Sequence, residues 1–152
     1  MMQRRSRVIV FFQSIETLAA LKGWAGRTVE LIAACDVPTV TAALKLYGQL
    51  NAVIAEVTGP KSDAALGVLR LAASLNASIP RVLVTAGDVP AAAYPAVHDR
   101  TATALLFAPL GAAQLSEACL IAPAPPVLLP ERLRHPPLTG GMRASSSPSL
   151  SR

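Results

Sequence analysis

Five short apolar runs, RVIVFF, TVELIAA, NAVIAEV, RVLVTA and TALLFA, recur along the chain, each separated from the next by a stretch with helical apolar spacing. That alternation leaves few folds open. Runs of this length without a polar face read as strands buried on both sides, and strands joined by helical crossovers run parallel. Five βα units in succession therefore predict an open, doubly wound parallel sheet of the flavodoxin-like α/β class, with helices on both faces and strand order 2-1-3-4-5. A chain of 152 residues suits one such domain. Its 52% hydrophobic and 15% charged residues fit elements covered on more than one side.

The intervening stretches carry their own signals. Ser14 is the expected N-cap of a first helix whose Ile15, Leu18 and Leu21 share a face, and Leu66, Leu69 and Ala73 do the same in the third. Pro38 and Gly48 bracket the second helix in the usual order. The fourth, PAAAYPAVHDR, is the weakest, because Pro95 removes an amide. After about Ala122 the sequence turns Pro-rich and then Ser-rich, which predicts an extended tail over 122–152.

Several function classes are disfavoured. The most apolar windows are too short or too broken for a spanning helix of roughly 20 residues, and the apolar run behind MMQRRSR lacks a cleavage site, so a cytoplasmic location is expected. Cys35 and Cys119 lie far apart in apolar or helical surroundings and are read as small core residues. His98, read as a surface helix residue, and His135 sit near no nucleophile pattern. Gly23, Gly26 and Gly59 form no phosphate-cradling loop, and Asn76 reads as a helix end. No metal and no cofactor is expected. The net charge of +5 gathers at the two ends, with Arg4, Arg5 and Arg7 at one and Arg132 and Arg134 among those at the other. Basic arms of this kind suit an acidic or polar partner better than a nucleic-acid groove would.

In a doubly wound sheet functional residues gather at the carboxyl ends of the strands, where Phe12, Glu56, Thr85 and Ala108 meet. An acid ending the third strand, Pro60 four residues on, Thr85 closing the fourth strand and APL after the fifth resemble the receiver domain of bacterial response regulators, over roughly residues 7 to 121. The resemblance implies a phosphoacceptor at the position of Glu56, an acidic Mg²⁺-binding pair at Phe11 or Phe12 with Gln13, a switch hydroxyl at Thr85 and a lysine at Ala108. Pro60 and Pro109 match the family's prolines. Acyl-phosphate chemistry needs the carboxylate, the divalent cation and the fixed positive charge together, and this chain has only the first. The expectation is a degenerate pseudo-receiver and no enzyme.

Two readings of Glu56 then stand: a solvated residue at the rim, which is favoured, or a residue hydrogen-bonded to Thr85 or to a loop amide, and the resemblance implies that the bond to Thr85 would weakly mimic the phosphorylated state. The expected organisation is a basic arm over 1–6, the domain over 7–121 and the tail over 122–152. The expected role is a protein-interaction or assembly subunit of a larger complex, one that basic arms could hold at the cytoplasmic face of a membrane complex. The alternative is an adaptor of a two-component-type pathway, phosphorylation-independent or atypical at Glu56. Candidate partner contacts are Arg4, Arg5, Arg7, Tyr94, Val127, Leu128, Leu129, Arg132, Leu133 and Arg134. Trp24 and Tyr47 close the first two helices and read chiefly as packing residues.

Overall fold

Every apolar run becomes a strand. The computed structural model describes residues 5–58, 62–87 and 89–122, and within them the order is β1 (Ser6–Phe11), α1 (Ile15–Ala25), β2 (Val29–Ala34), α2 (Val37–Leu46), β3 (Ala52–Thr58), α3 (Asp63–Leu75), β4 (Arg81–Ala86), α4 (Ala93–His98), β5 (Ala104–Phe107) and α5 (Ala112–Ala118). The strands form one parallel sheet in the order β2-β1-β3-β4-β5. Strand β3 lies in the middle, and its residues Ala52 to Val57 are all buried. That is why the NAVIAEV run shows no polar alternation until Glu56.

Alternate side chains feed two cores. On one face Ile9, Phe11, Val53, Val57 and Leu83 pack beneath α2, α3 and α4, meeting Val40, Leu44, Leu66, Leu69 and Ala96. On the other Val8, Val10, Ile54, Val82 and Val84 pack beneath α1 and α5, meeting Leu21, Ala25, Leu115 and Cys119. Ser14 caps α1 and Pro38 lies in the first turn of α2 as expected, while Asp36 supplies the cap of α2 and that helix closes at Tyr47, one residue before Gly48. The Thr39 hydroxyl and amide donate to Asp36 and hold its carboxyl below the ordinary carboxylate range.

Two expectations need correction. The buried face of α1 is Thr17, Leu21 and Ala25, while Ile15 is 71% exposed. Ile15 occupies the first turn, which overhangs the sheet edge, so the i, i+4 stripe begins at a threonine. Cys35 is exposed in the turn after β2, whereas Cys119 is buried and its thiol is pushed up to about 12 by desolvation. His98 and Asn76 lie at the ends of α4 and α3, as expected.

Both ends of the described chain sit at the amino-terminal edge of the sheet. The Ser6 amide donates to the Thr28 carbonyl, and Thr28 and Ala122 border one common groove. Arg5 and Arg7 are not free arms: the Arg5 guanidinium reaches the Val29 carbonyl at 3.5 Å, and Arg7 pairs with Glu30 at 3.2 Å while lying 4.8 Å over the Tyr47 ring. Arg4, Pro60 and the tail from 123 onward, with Val127, Leu128, Leu129, Arg132, Leu133 and Arg134, lie outside the described residues. Among the described residues no helix is long and apolar enough to cross a membrane.

Candidate functional site

The turn from β1 to α1 brings four donors to one point at the carboxyl edge of the sheet. Phe11 ends β1, Phe12 donates its amide to Ala34, and the chain then turns over Gln13 and Ser14 into the helix. Amides at a helix start have no intrahelical acceptor and favour a negative charge. Glu56, projecting from β3 beneath them, supplies it. Its Oε1 accepts from the Gln13 amide at 2.6 Å and the Ser14 amide at 2.9 Å, and its Oε2 accepts from the Ser14 hydroxyl at 2.7 Å and the Thr17 hydroxyl at 2.6 Å. The Ser14 hydroxyl in turn accepts from the Thr17 amide at 3.2 Å, so one serine serves two caps.

Glu56 is therefore no rim residue: it is 1% exposed. Among the described residues, four donors offset the cost of burying this carboxylate, none of them from a charged side chain. A carboxylate oxygen already accepting two short hydrogen bonds has little capacity left to attack phosphorus or bind a cation without first breaking them. Phe11 is buried and Phe12 half-buried where a metal-binding pair of acids would stand. A cleft of about 430 Å³ opens beside the site, bordered by Phe11, Gln13, Thr58 and Asp63. Asp63 is exposed at the start of α3 and is, among the described residues, the only other acid bordering that cleft. Among the described residues no group of three or more His, Cys, Asp or Glu side chains is placed to hold a metal. One exposed acid beside a fully occupied carboxylate suits neither the oxygen count nor the geometry of Mg²⁺.

Thr85 takes no part in this network. Glu56 pairs in register with Val84, and Val57 pairs with Thr85. Strand alternation sends Glu56 toward α1 with Ile54 and Val84, and Thr85 toward the opposite layer with Leu83. Of the two hydrogen-bonded alternatives to the rim reading, the bond to Thr85 is thereby excluded and the bond to loop amides is the one observed. The Thr85 hydroxyl is buried and has no hydrogen-bond partner among the described residues. We expect Thr85→Val to hold stability or raise it by up to about 1 kcal/mol in urea unfolding, because an unsatisfied hydroxyl is removed. Its effect adds to that of Glu56→Gln, since the two side chains share no partner.

Of the remaining predicted positions, Ala108 is exposed beyond β5, with its amide donating to the Thr85 carbonyl at 2.9 Å. Tyr94 is 61% exposed on α4, which packs on the face of the sheet opposite to α1. Sequence reading missed Thr17 and the second role of Ser14. The available signal was a polar residue four before Leu21 and eight before Ala25, on the stripe that must face the sheet. It also missed Arg81, which begins β4 and is only 4% exposed. The Arg81 guanidinium donates to the carbonyls of Ala77, Ile79, Arg100 and Thr101 at 2.7–3.1 Å, binding together the segments that follow α3 and α4.

No family model matches the chain, and no curated protein matches it in sequence. The likeness is structural. Adenylate cyclase from Rhodopirellula baltica superposes with a TM-score of 0.64 at 15% identity, over 77% of this chain and 86% of that one. A response regulator receiver domain protein from Clostridium thermocellum gives 0.61 at 17% identity, over 76% and 91%. The pilus assembly protein CpaE from Caulobacter crescentus CB15 gives 0.58 at 20% identity, over 78% and 95%. The fold is that of the CheY-like receiver.

Proposed function

We propose that this chain is a pseudo-receiver that works without phosphorylation and without catalysis, as an interaction subunit in a larger assembly. The observation that carries the reading is the occupancy of Glu56: both oxygens of the only acid on β3 are committed to α1. A receiver whose acceptor is also a helix cap has exchanged a reactive group for a structural one. What remains useful is its surface, with Tyr94 on α4 and the basic termini as candidate contacts. Pilus assembly proteins recur among the structural matches, which supports an assembly role of this kind, at the cytoplasmic face of a membrane-associated machine. The basic residues near the two termini favour such a place, since anionic head groups attract positive charge.

The second reading, an adaptor in a two-component-type pathway, is favoured by the response regulators among the same matches. Labelling separates the two. Incubated with Mg²⁺ and a small phosphodonor, the full chain takes up no label, and Mg²⁺ binds no tighter than about 1 mM, for want of an acidic pair. A tagged chain retains the same partner proteins from its own cells whether or not the donor is present. Stoichiometric labelling abolished by Glu56→Gln, or partners exchanged on adding the donor, overturns the assembly reading in favour of signalling.

A further inference from the structure

Strand β2 is an edge of the sheet, and among the described residues it pairs with β1 alone. The Ser6 amide bonds the Thr28 carbonyl and the Phe12 amide bonds the Ala34 carbonyl, which fixes the phase of this parallel ladder. Glu30 and Ile32 therefore turn their main-chain groups toward β1, while Val29, Leu31 and Ala33 turn theirs outward. The Arg5 guanidinium reaches the first of these, 3.5 Å from the Val29 carbonyl. Leu31 and Ala33 present an amide and a carbonyl each to the open side. Edge strands are ordinarily blunted by a lysine, a proline, a bulge or an outward charge. VELIAA carries no such device: its register with β1 is unbroken, and its single charge, Glu30, is drawn back onto Arg7 of β1 at 3.2 Å. Leu31 and Ile32 are half-buried, one on each face of the sheet, and Ala33 is exposed. The opposite edge, β5, is four residues long against six here.

We propose that two copies of this chain join β2 to β2, antiparallel about a two-fold axis at Ile32, so that their sheets become one. The strand complements itself in that register. Leu31 of each copy stands opposite Ala33 of the other, and the amide and carbonyl of each are exchanged with the residue it faces, so every outward group of the two residues is satisfied. Val29 keeps its contact with Arg5, and Cys35, in the turn beyond the strand, is not called on. Moving the axis to Leu31 requires Val29, and moving it to Ala33 requires Cys35. Charge agrees as well: Glu30 faces Ala34, not a second Glu30, and like charges are kept apart. On one face Ile32 meets its own copy, and on the other Leu31 meets the Ala33 methyl, covering the apolar flanks that a lone edge leaves wet. A contact of this symmetry closes on itself at two copies and builds no fibre. The inference does not rest on the assembly reading: a monomeric assembly subunit fails the test below and still takes up no label from a phosphodonor.

Sedimentation equilibrium of the full chain is expected to give a dimer at about 0.1 mM. Two variants at the exposed Ala33 test the contact, with circular dichroism as the check on folding. Ala33→Pro removes an outward amide that the ladder with β1 does not use, and Ala33→Lys leaves the main chain intact but sets a flexible charge against Leu31 of the other copy. Each raises the dimer dissociation constant by at least about tenfold while the spectrum is unchanged. A distance measurement reads the register. Cys35 is exposed and Cys119 buried, so a nitroxide reagent marks Cys35. With the axis at Ile32 the two Cys35 positions stand about 20 Å apart along the paired strands, and the dipolar spectrum shows one label-to-label distance between about 20 and 30 Å. A monomeric mass at about 0.1 mM overturns the proposal. A dimer that both variants leave unchanged, or a label distance outside that range, also overturns it, by assigning the contact to another face or register.

Discussion

Glu56→Ala lowers stability by about 3–5 kcal/mol, because it strands two amides and two hydroxyls in a site shielded from water. The four donors are those of Gln13, Ser14 and Thr17, and after truncation the Ser14 hydroxyl keeps only the Thr17 amide as a partner. Glu56→Gln is milder, about 1–2 kcal/mol. The amide oxygen still serves the two main-chain amides, and the serine and threonine hydroxyls rotate to accept from its NH₂. Glu56→Asp keeps the charge but shortens the reach by a methylene, and is expected to cost about 2 kcal/mol. Urea unfolding measures the series, as a shifted midpoint at constant slope. A loss below about 1 kcal/mol for the alanine variant contradicts the buried network.

The second large effect is expected at Arg81. A guanidinium that is nearly inaccessible and bound to four carbonyls, with no carboxylate among those partners, is held by the carbonyl-rich segments that follow α3 and α4. Arg81→Met fills the volume but leaves those carbonyls unpaired, and is expected to cost about 3–4 kcal/mol. Arg81→Lys keeps the charge and loses the planar fork, for about 1–2 kcal/mol. Hydrogen exchange places the damage: amides of Ala102 and Thr103, bonded to the Ala96 and Arg81 carbonyls, lose protection before those of β1 do. Equal loss across all strands argues against a local clamp. The two charged residues follow one rule. Each projects from a central strand to a helix end of opposite polarity, the carboxylate at an N-terminus and the guanidinium beside carbonyls past two C-termini.

These two residues also mark where sequence reading ended. The architecture was legible because it rests on patterns spread over many residues. Five apolar runs, their helical separators, Ser14 as a cap and Pro38 in a first turn all agree with the sheet and helices observed. The environment of Glu56 was not legible, because a carboxylate at a strand end can face either layer or solvent. The choice depends on which residue of β4 stands beside it. Only the register, Glu56 with Val84 and Val57 with Thr85, sends the acid and the threonine to opposite sides. Cys35 misled for a similar reason, as the apolar run of β2 ends one residue before it. Arg81 opens an otherwise apolar strand, where a charge normally marks the solvated margin. Its burial follows from the loops after α3 and α4 folding over it, and no local pattern announces that.

The position of the two chain ends has a mechanical consequence. Arg5 and Ala122 leave the domain from one pole, and the capped turn of α1 lies at the other. A body that grips both ends holds the domain like a lamp by its base. A load pulling on either end then acts first on the outermost register of β1 or the last turn of α5, at the pole opposite the Glu56 network. The far pole carries Glu16, Asp36 and Asp63 around its rim, so a molecule that meets the domain there meets negative charge.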